Sequence, residues 1–235
     1  MSLERSSTGV LGGTFNPIHL GHLRAAEEVR EQLDLARVIF VPSADPPLKR
    51  ESELCVAPAE TRLAWVRLAV ADNPCFEVDP LELGREGPSY SVDTLRVLGA
   101  RLAPERPVFV IGDDAFAELA SWRDPAALLE LAHFAVIERP GPPADRAAGA
   151  PAAAPAAWLP EALREDYEPV DEAGALVHRR AGTWIRRLAI AGLEVSSTDV
   201  RRRLGEGRSV RYLLPEGVWR AVVASGIYAS RPRSR

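Results

Sequence analysis

The chain has 235 residues, 46% of them hydrophobic, and a formal net charge of −4, enough apolar material for one domain with a sizeable core. An acidic balance argues against a nucleic-acid duplex or an anionic membrane surface as the main partner, because both select basic faces. No apolar run approaches the roughly 20 residues of a membrane span and "MSLERSSTG" lacks an apolar signal core, so a cytoplasmic protein is expected.

Thr8 to Gly13 reads as a short buried strand, and from Gly21 the apolar positions Leu23, Ala26, Val29 and Leu33 recur at helical spacing. Between them, "GGTFNPIHLGH" puts two glycines, a hydroxyl, an asparagine and two histidines into a tight βα turn. Gly12 and Gly13 lack Cβ atoms, so an anion can approach the backbone there, and the following helix points its first N–H groups at the same place. His19 and His22, three residues apart, fall on one face of the first helical turn and can both reach such an anion. Donors converging on one point suit a transition state that builds charge on phosphate oxygens.

"RVIFVPS" (Arg37 to Ser43) predicts a second strand, followed by a Pro-rich loop to about Val56 and a helix from Pro58 with Leu63, Val66 and Val70 on its apolar stripe. "CFEVDPLEL" reads as a short strand or two, and Val92, Leu95, Leu98 and Leu102 mark another amphipathic helix. "PVFVIGDD" and "HFAVIERPG" read as strands, the first apolar enough to be buried on both faces. Pro140 to about Pro160 is rich in alanine and proline and is expected to be a surface insertion without chemistry. The chain resumes with "IRRLAIAGLEVSS" as strand, "TDVRRRLGEG" as a short helix and "PEGVWRAVVASG" as a terminal helix. Such alternation predicts an α/β fold in one domain over 1–235, a doubly wound parallel sheet with a small C-terminal helical part. His133 and His178 read as packing residues, and Cys55 and Cys75 as two reduced thiols. Among 29 basic residues only Lys49 is lysine, which marks it as a candidate for a site that needs an ammonium.

"GGTFNPIHLGH" and "SSTDVRRRL" together resemble the H-x-G-H nucleotidyltransferase superfamily. "VPSADPPLKR", "PSYSVDTL", "VIGDDAFAELASW", "ERPG" and "RYLLPEGVWRAVVASGIY" follow in the order of one branch, the bacterial nicotinate-nucleotide adenylyltransferase family. The resemblance implies a Rossmann-like sheet and transfer of the AMP moiety of ATP to nicotinate mononucleotide, with pyrophosphate leaving, in NAD synthesis. It implies that Gly12, Gly13, Thr14, Phe15 and Asn16, with His19 and His22, hold the ATP phosphates, and that Ser197, Thr198 and Arg201 grip them from the C-terminal side. Gly112 and Asp114 fall near the adenosine ribose, and Tyr90, Ser91 and Trp122 form the nicotinate pocket, where backbone amides receive the carboxylate. Lys49 neutralises phosphate, and Mg²⁺ rides mainly on the ATP oxygens. Two positions depart from the family pattern: Asn16 replaces a common aspartate, and Leu48 replaces a histidine. Rival readings are a related transferase acting on nicotinamide mononucleotide or phosphopantetheine, and a nucleotide-binding sensor without turnover. Neither nucleic acid nor membrane is expected as a partner, and a homo-oligomer is compatible with the sequence.

Overall fold

A computed structural model describes residues 7–46, 56–138, 159–170 and 174–229. Its strands are β1 (Thr8–Gly13), β2 (Arg37–Pro42), β3 (Phe76–Val78), β4 (Val108–Gly112), β5 (His133–Glu138), β6 (Tyr167–Pro169), β7 (Leu176–His178) and β8 (Trp184–Ala189). They form one sheet in the order β3-β2-β1-β4-β5-β8-β7-β6. The first six in that order run parallel, as the alternation predicts. The antiparallel β6 and β7, three residues each, have no counterpart among the predicted strands.

The helices are α1 (Leu20–Gln32), α2 (Ala59–Val70), α3 (Ser91–Leu102), α4 (Asp113–Ala117), α5 (Pro125–Leu131), α6 (Glu161–Arg164), α7 (Ser197–Gly205) and α8 (Glu216–Ser225). Successive strand side chains point to opposite faces, so the sheet divides the core in two. Leu11, Val38 and Phe40 face a layer built by α1, α2, α7 and α8. Val10, Ile39 and Val41 face the other, built by α3, α4 and α5. A doubly wound sheet places the carboxyl ends of β1 and β4 at one edge, where Gly12, Gly13 and Gly112 turn the chain out of the sheet.

Two expectations need adjustment. "IRRLAIAGLEVSS" is strand only as far as Ala189; residues 190–195 form a loop, with Gly192 in the left-handed region at φ 54°. Most of the Pro/Ala-rich insertion, together with Leu48, Lys49 and Cys55, lies outside the described residues; Leu159, near the insertion's end, is buried in the core.

His133 opens β5 at the opposite edge of the sheet, fully buried. Its ring stacks on the Trp184 indole at 4.7 Å, and Nδ1 accepts the Trp184 backbone N–H at 3.1 Å. His178 is also buried, its Nδ1 accepting the N–H groups of Arg180 and Ala181. Both are packing residues, as expected. Burial, with a smaller push from Arg106, holds the His133 pKa down to about 4. The unfolded chain takes up this proton near pH 6.5 and the folded chain does not, so stability is lost as pH falls from about 6.5 to about 4. The full loss is about 3 kcal/mol. Urea unfolding at about pH 7 and about pH 4.5 is expected to show a smaller acid loss in His133→Gln than in the parent. Equal losses would disprove the assignment.

Candidate active site

The turn that leaves β1 is built around a residue few turns would choose. Phe15 sits at φ 48°, a left-handed conformation that costs a β-carbon residue about 1 kcal/mol or more. Packing holds it there: the ring is buried, 6.0 Å from Phe40 and edge-on to His22 at 5.2 Å. A Cβ at Gly13 would lie 3.1 Å from that ring, so the second glycine is required by the phenylalanine two residues on.

His19 is the N-cap of α1. Its backbone N–H donates to His22 Nδ1 at 3.2 Å, which leaves the proton of a neutral His22 on Nε2, a donor. The two rings stack with centroids 3.7 Å apart. Gly21 makes this possible, since a Cβ there would lie 3.0 Å from His19 Nδ1 and 3.2 Å from the Leu193 carbonyl.

Three buried groups hold the surrounding loops. The Arg62 guanidinium, 1% exposed, donates to the carbonyls of Thr14 (2.6 Å), Ser43 (2.7 Å), Ala57 (2.9 Å) and Ala44 (3.2 Å). Glu28 accepts the N–H groups of Ala191 (2.6 Å) and Gly192 (3.1 Å) and the Arg24 side chain (2.7 Å), which fixes the loop after β8. Burial raises the Glu28 pKa, but the hydrogen bonds from Ala191, Arg24 and Gly192 outweigh it and leave the carboxyl below its usual range. Asn16 Oδ1 accepts the Ala57 N–H at 3.0 Å and the Tyr228 hydroxyl, so this side chain ties the turn to the start of α2 and the C-terminal segment.

α7 closes the other side. Ser196 caps it by accepting the Asp199 N–H, and Ser197 Oγ donates to the Pro17 carbonyl at 2.9 Å. Arg201 bridges the Asn16 carbonyl (2.8 Å) and the Thr198 hydroxyl (3.2 Å).

These elements enclose two cavities with a common wall of Gly12, Gly13, Thr14, Phe109 and Trp122. The larger, about 550 Å³, is bounded also by Phe15, Asn16, His19, His22, Gly112, Ser197 and Arg201. The smaller, about 420 Å³, is bounded also by Tyr90, Ser91, Glu82 and Arg123. Most of the candidate residues therefore converge. Thr198 is exposed and reaches the larger cavity only through Arg201, and Asp114 is exposed near the start of α4, accepting the Ala115 N–H at 2.8 Å. Arg62, Glu28 and Glu82 were not anticipated. Arg62 did leave a signal: it shares a helix face with Trp65 and Val66, where a charge is out of place. Among the described residues no group of three or more His, Cys, Asp or Glu side chains could hold a metal ion, and no helix is long and apolar enough to cross a membrane.

Residues 10–203, from β1 into α7, match the cytidylyltransferase-like family. The chain belongs to that family. A relative from Geotalea uraniireducens, named a probable nicotinate-nucleotide adenylyltransferase, is 42% identical over 94% of this chain and 97% of its own length. Another of the same name, from Geobacter sulfurreducens, is 44% identical over 94% and 98%. A solved structure of Plasmodium falciparum nicotinic acid mononucleotide adenylyltransferase, complexed with NaAD, superposes with a TM-score of 0.65 at 14% identity over 94% of this chain and 96% of that one, a likeness of fold.

Two outcomes follow for this cytidylyltransferase-like chain. Gly21→Ala pushes a methyl group against His19 and the Leu193 carbonyl, and is expected to lower nucleotidyl transfer by about tenfold to a hundredfold while thermal unfolding moves little. Unchanged turnover would show that the histidine pair tolerates displacement. Arg62→Met leaves buried carbonyls without donors and is expected to destabilise by about 3 kcal/mol or more, read by denaturant unfolding; a loss under about 1 kcal/mol would mean that water or backbone relaxation replaces the guanidinium.

Proposed function

We propose that this chain transfers AMP from ATP to nicotinate mononucleotide, releasing pyrophosphate and nicotinate adenine dinucleotide. The observation that carries the reading is the pair of cavities joined across a glycine turn: one can take a triphosphate, the other an aromatic mononucleotide, and both substrates meet at Gly12, Gly13 and Thr14. On this reading the backbone from Gly12 to Asn16, with His19, His22, Ser197, Thr198 and Arg201, holds the phosphates of ATP. Gly112 and Asp114 lie toward its ribose. Tyr90, Ser91 and Trp122 receive the pyridine ring, and Lys49, which lies outside the described residues, supplies a cation. Mg²⁺ would arrive as part of the ATP substrate complex and would supply charge neutralisation there.

The reaction is an in-line displacement. A phosphate oxygen of the mononucleotide attacks the α-phosphorus, and the bond to the bridging oxygen breaks as pyrophosphate leaves with the electron pair. A phosphate dianion is already a nucleophile, so no general base is needed, and rate comes from alignment and from donors that meet growing charge. The His22 Nε2–H and the Arg201 guanidinium suit that task, because both are fixed by hydrogen bonds to the turn itself.

The test is pyrophosphate and dinucleotide formation from Mg²⁺–ATP with nicotinate mononucleotide. Pyrophosphate release that depends on the mononucleotide supports the reading, and binding without turnover contradicts it. His22→Ala is expected to keep the fold and lose about a hundredfold or more in kcat, since a donor to developing charge is removed.

A further inference from the structure

The smaller cavity holds a charge that the rest of the protein does not use. Arg123 follows Trp122 on its wall, with the guanidinium carbon 4.6 Å from the centroid of the Tyr90 ring. Among the described residues it makes no ion pair and no hydrogen bond. Its neighbour Asp124 is not its partner, because that carboxylate pairs with Arg96 at 3.0 Å and caps α5 through the Ala127 N–H. A guanidinium lying over a ring keeps its edge N–H groups available, so Tyr90 orders the cation without consuming its donors.

The opposing charge on that wall makes the arginine informative. Glu82, 6% exposed, bounds the same cavity. Its Oε1 accepts the Thr94 hydroxyl at 2.5 Å, and its Oε2 is buried with no hydrogen-bond partner. A fixed carboxylate repels a second carboxylate, and it tolerates a neutral carboxamide, which can donate an N–H. Arg85 donates to the same Thr94 hydroxyl at 3.5 Å but is not on the cavity wall, so without a compensating cation on that wall the cavity would favour the amide. The 12-residue α3, whose N-cap Tyr90 offers no side-chain cap, opens onto the same space at Ser91 and adds partial positive charge. A carboxylate can also take two parallel N–H bonds from a guanidinium, a match no carboxamide reproduces.

We propose that Arg123 is the specificity-determining residue by which this chain selects a pyridine carboxylate over the corresponding carboxamide. The proposal rests on the smaller cavity being the mononucleotide site and names the group that reads its ring substituent. The test compares kcat/KM for nicotinate mononucleotide and nicotinamide mononucleotide, with Mg²⁺–ATP saturating, in the parent, Arg123→Gln and Arg123→Lys. Arg123→Gln is expected to lose about ten- to a hundredfold with the acid, mostly through KM, while the amide changes by less than about threefold; Arg123→Lys recovers part of the loss. A parent active on the acid whose acid-to-amide ratio is the same in Arg123→Gln overturns this proposal alone, and an equal fall for both substrates shows that Arg123 only covers Tyr90. A parent that turns over neither mononucleotide overturns the function itself and this inference with it.

Discussion

A buried guanidinium sets the shape of the site. Arg62 joins three stretches of chain that are remote in sequence: the turn after β1, the loop after β2 and the residues leading into α2. Taking a cation out of water costs several kcal/mol, and the cost is offset only where donors find acceptors in good geometry. A planar fork can serve four carbonyls at once, whereas an ammonium would reach fewer of them. The consequence reaches the opposite side of the turn. In a trans peptide the C=O and the following N–H point in opposite directions, so drawing the Thr14 carbonyl toward Arg62 turns the Phe15 N–H away from that guanidinium.

The rest of the phosphate-facing surface comes from far along the chain. Asn16 and Pro17 are gripped through their carbonyls by Arg201 and Ser197, and Tyr228 binds the Asn16 side chain. The first N–H of α1, from Leu20, donates to the Leu213 carbonyl. The βα turn is therefore incomplete until α7 and the C-terminal segment dock. This explains why a small helical part follows the sheet: it supplies acceptors and donors that a six-residue strand and one helix cannot provide for themselves.

What could be read from the sequence follows from how local each signal is. The parallel strands are continuous apolar runs, and the glycine turn with its paired histidines is contained in 11 residues, "GGTFNPIHLGH", so both were legible. Residues 190–195 misled because Ile190, Leu193 and Val195 continue the apolar pattern of β8. The Ala191 and Gly192 amides go instead to Glu28, 163 and 164 residues earlier, a partner no window of sequence contains. Asn16 carried a different ambiguity. Its place in the motif was visible, but its side-chain partners, Ala57 and Tyr228, depend on how distant segments pack. Arg62 was marked only by its place on an apolar helix face, and Arg123 was hidden by number, one among 28 arginines.

An acidic protein that handles two phosphate-bearing molecules must keep its own carboxylates from repelling them. Asp199 stands on the boundary of the larger cavity, but Arg203 and Arg202 engage its carboxylate, and their hydrogen bonds hold its pKa below the usual range. The charge of Glu28 is directed into the amides of the loop after β8, whose Gly192 bounds the same cavity, and into the Arg24 side chain. Such pairs contribute little stability where they are exposed to water. Their effect is on the local field: with Asp199 and Glu28 engaged in place, the exposed Glu194 is left, among the described residues, as the unpaired carboxylate on that boundary, facing the donors of His19, His22 and Arg201. In the smaller cavity Glu82 shares the Thr94 hydroxyl with Arg85, which does not line the cavity, so on the wall itself the balance of charge falls to Arg123 and the open end of α3. The net charge of −4 and a demand for anions are therefore compatible, because one is a property of the whole surface and the other of two cavities only a few side chains wide.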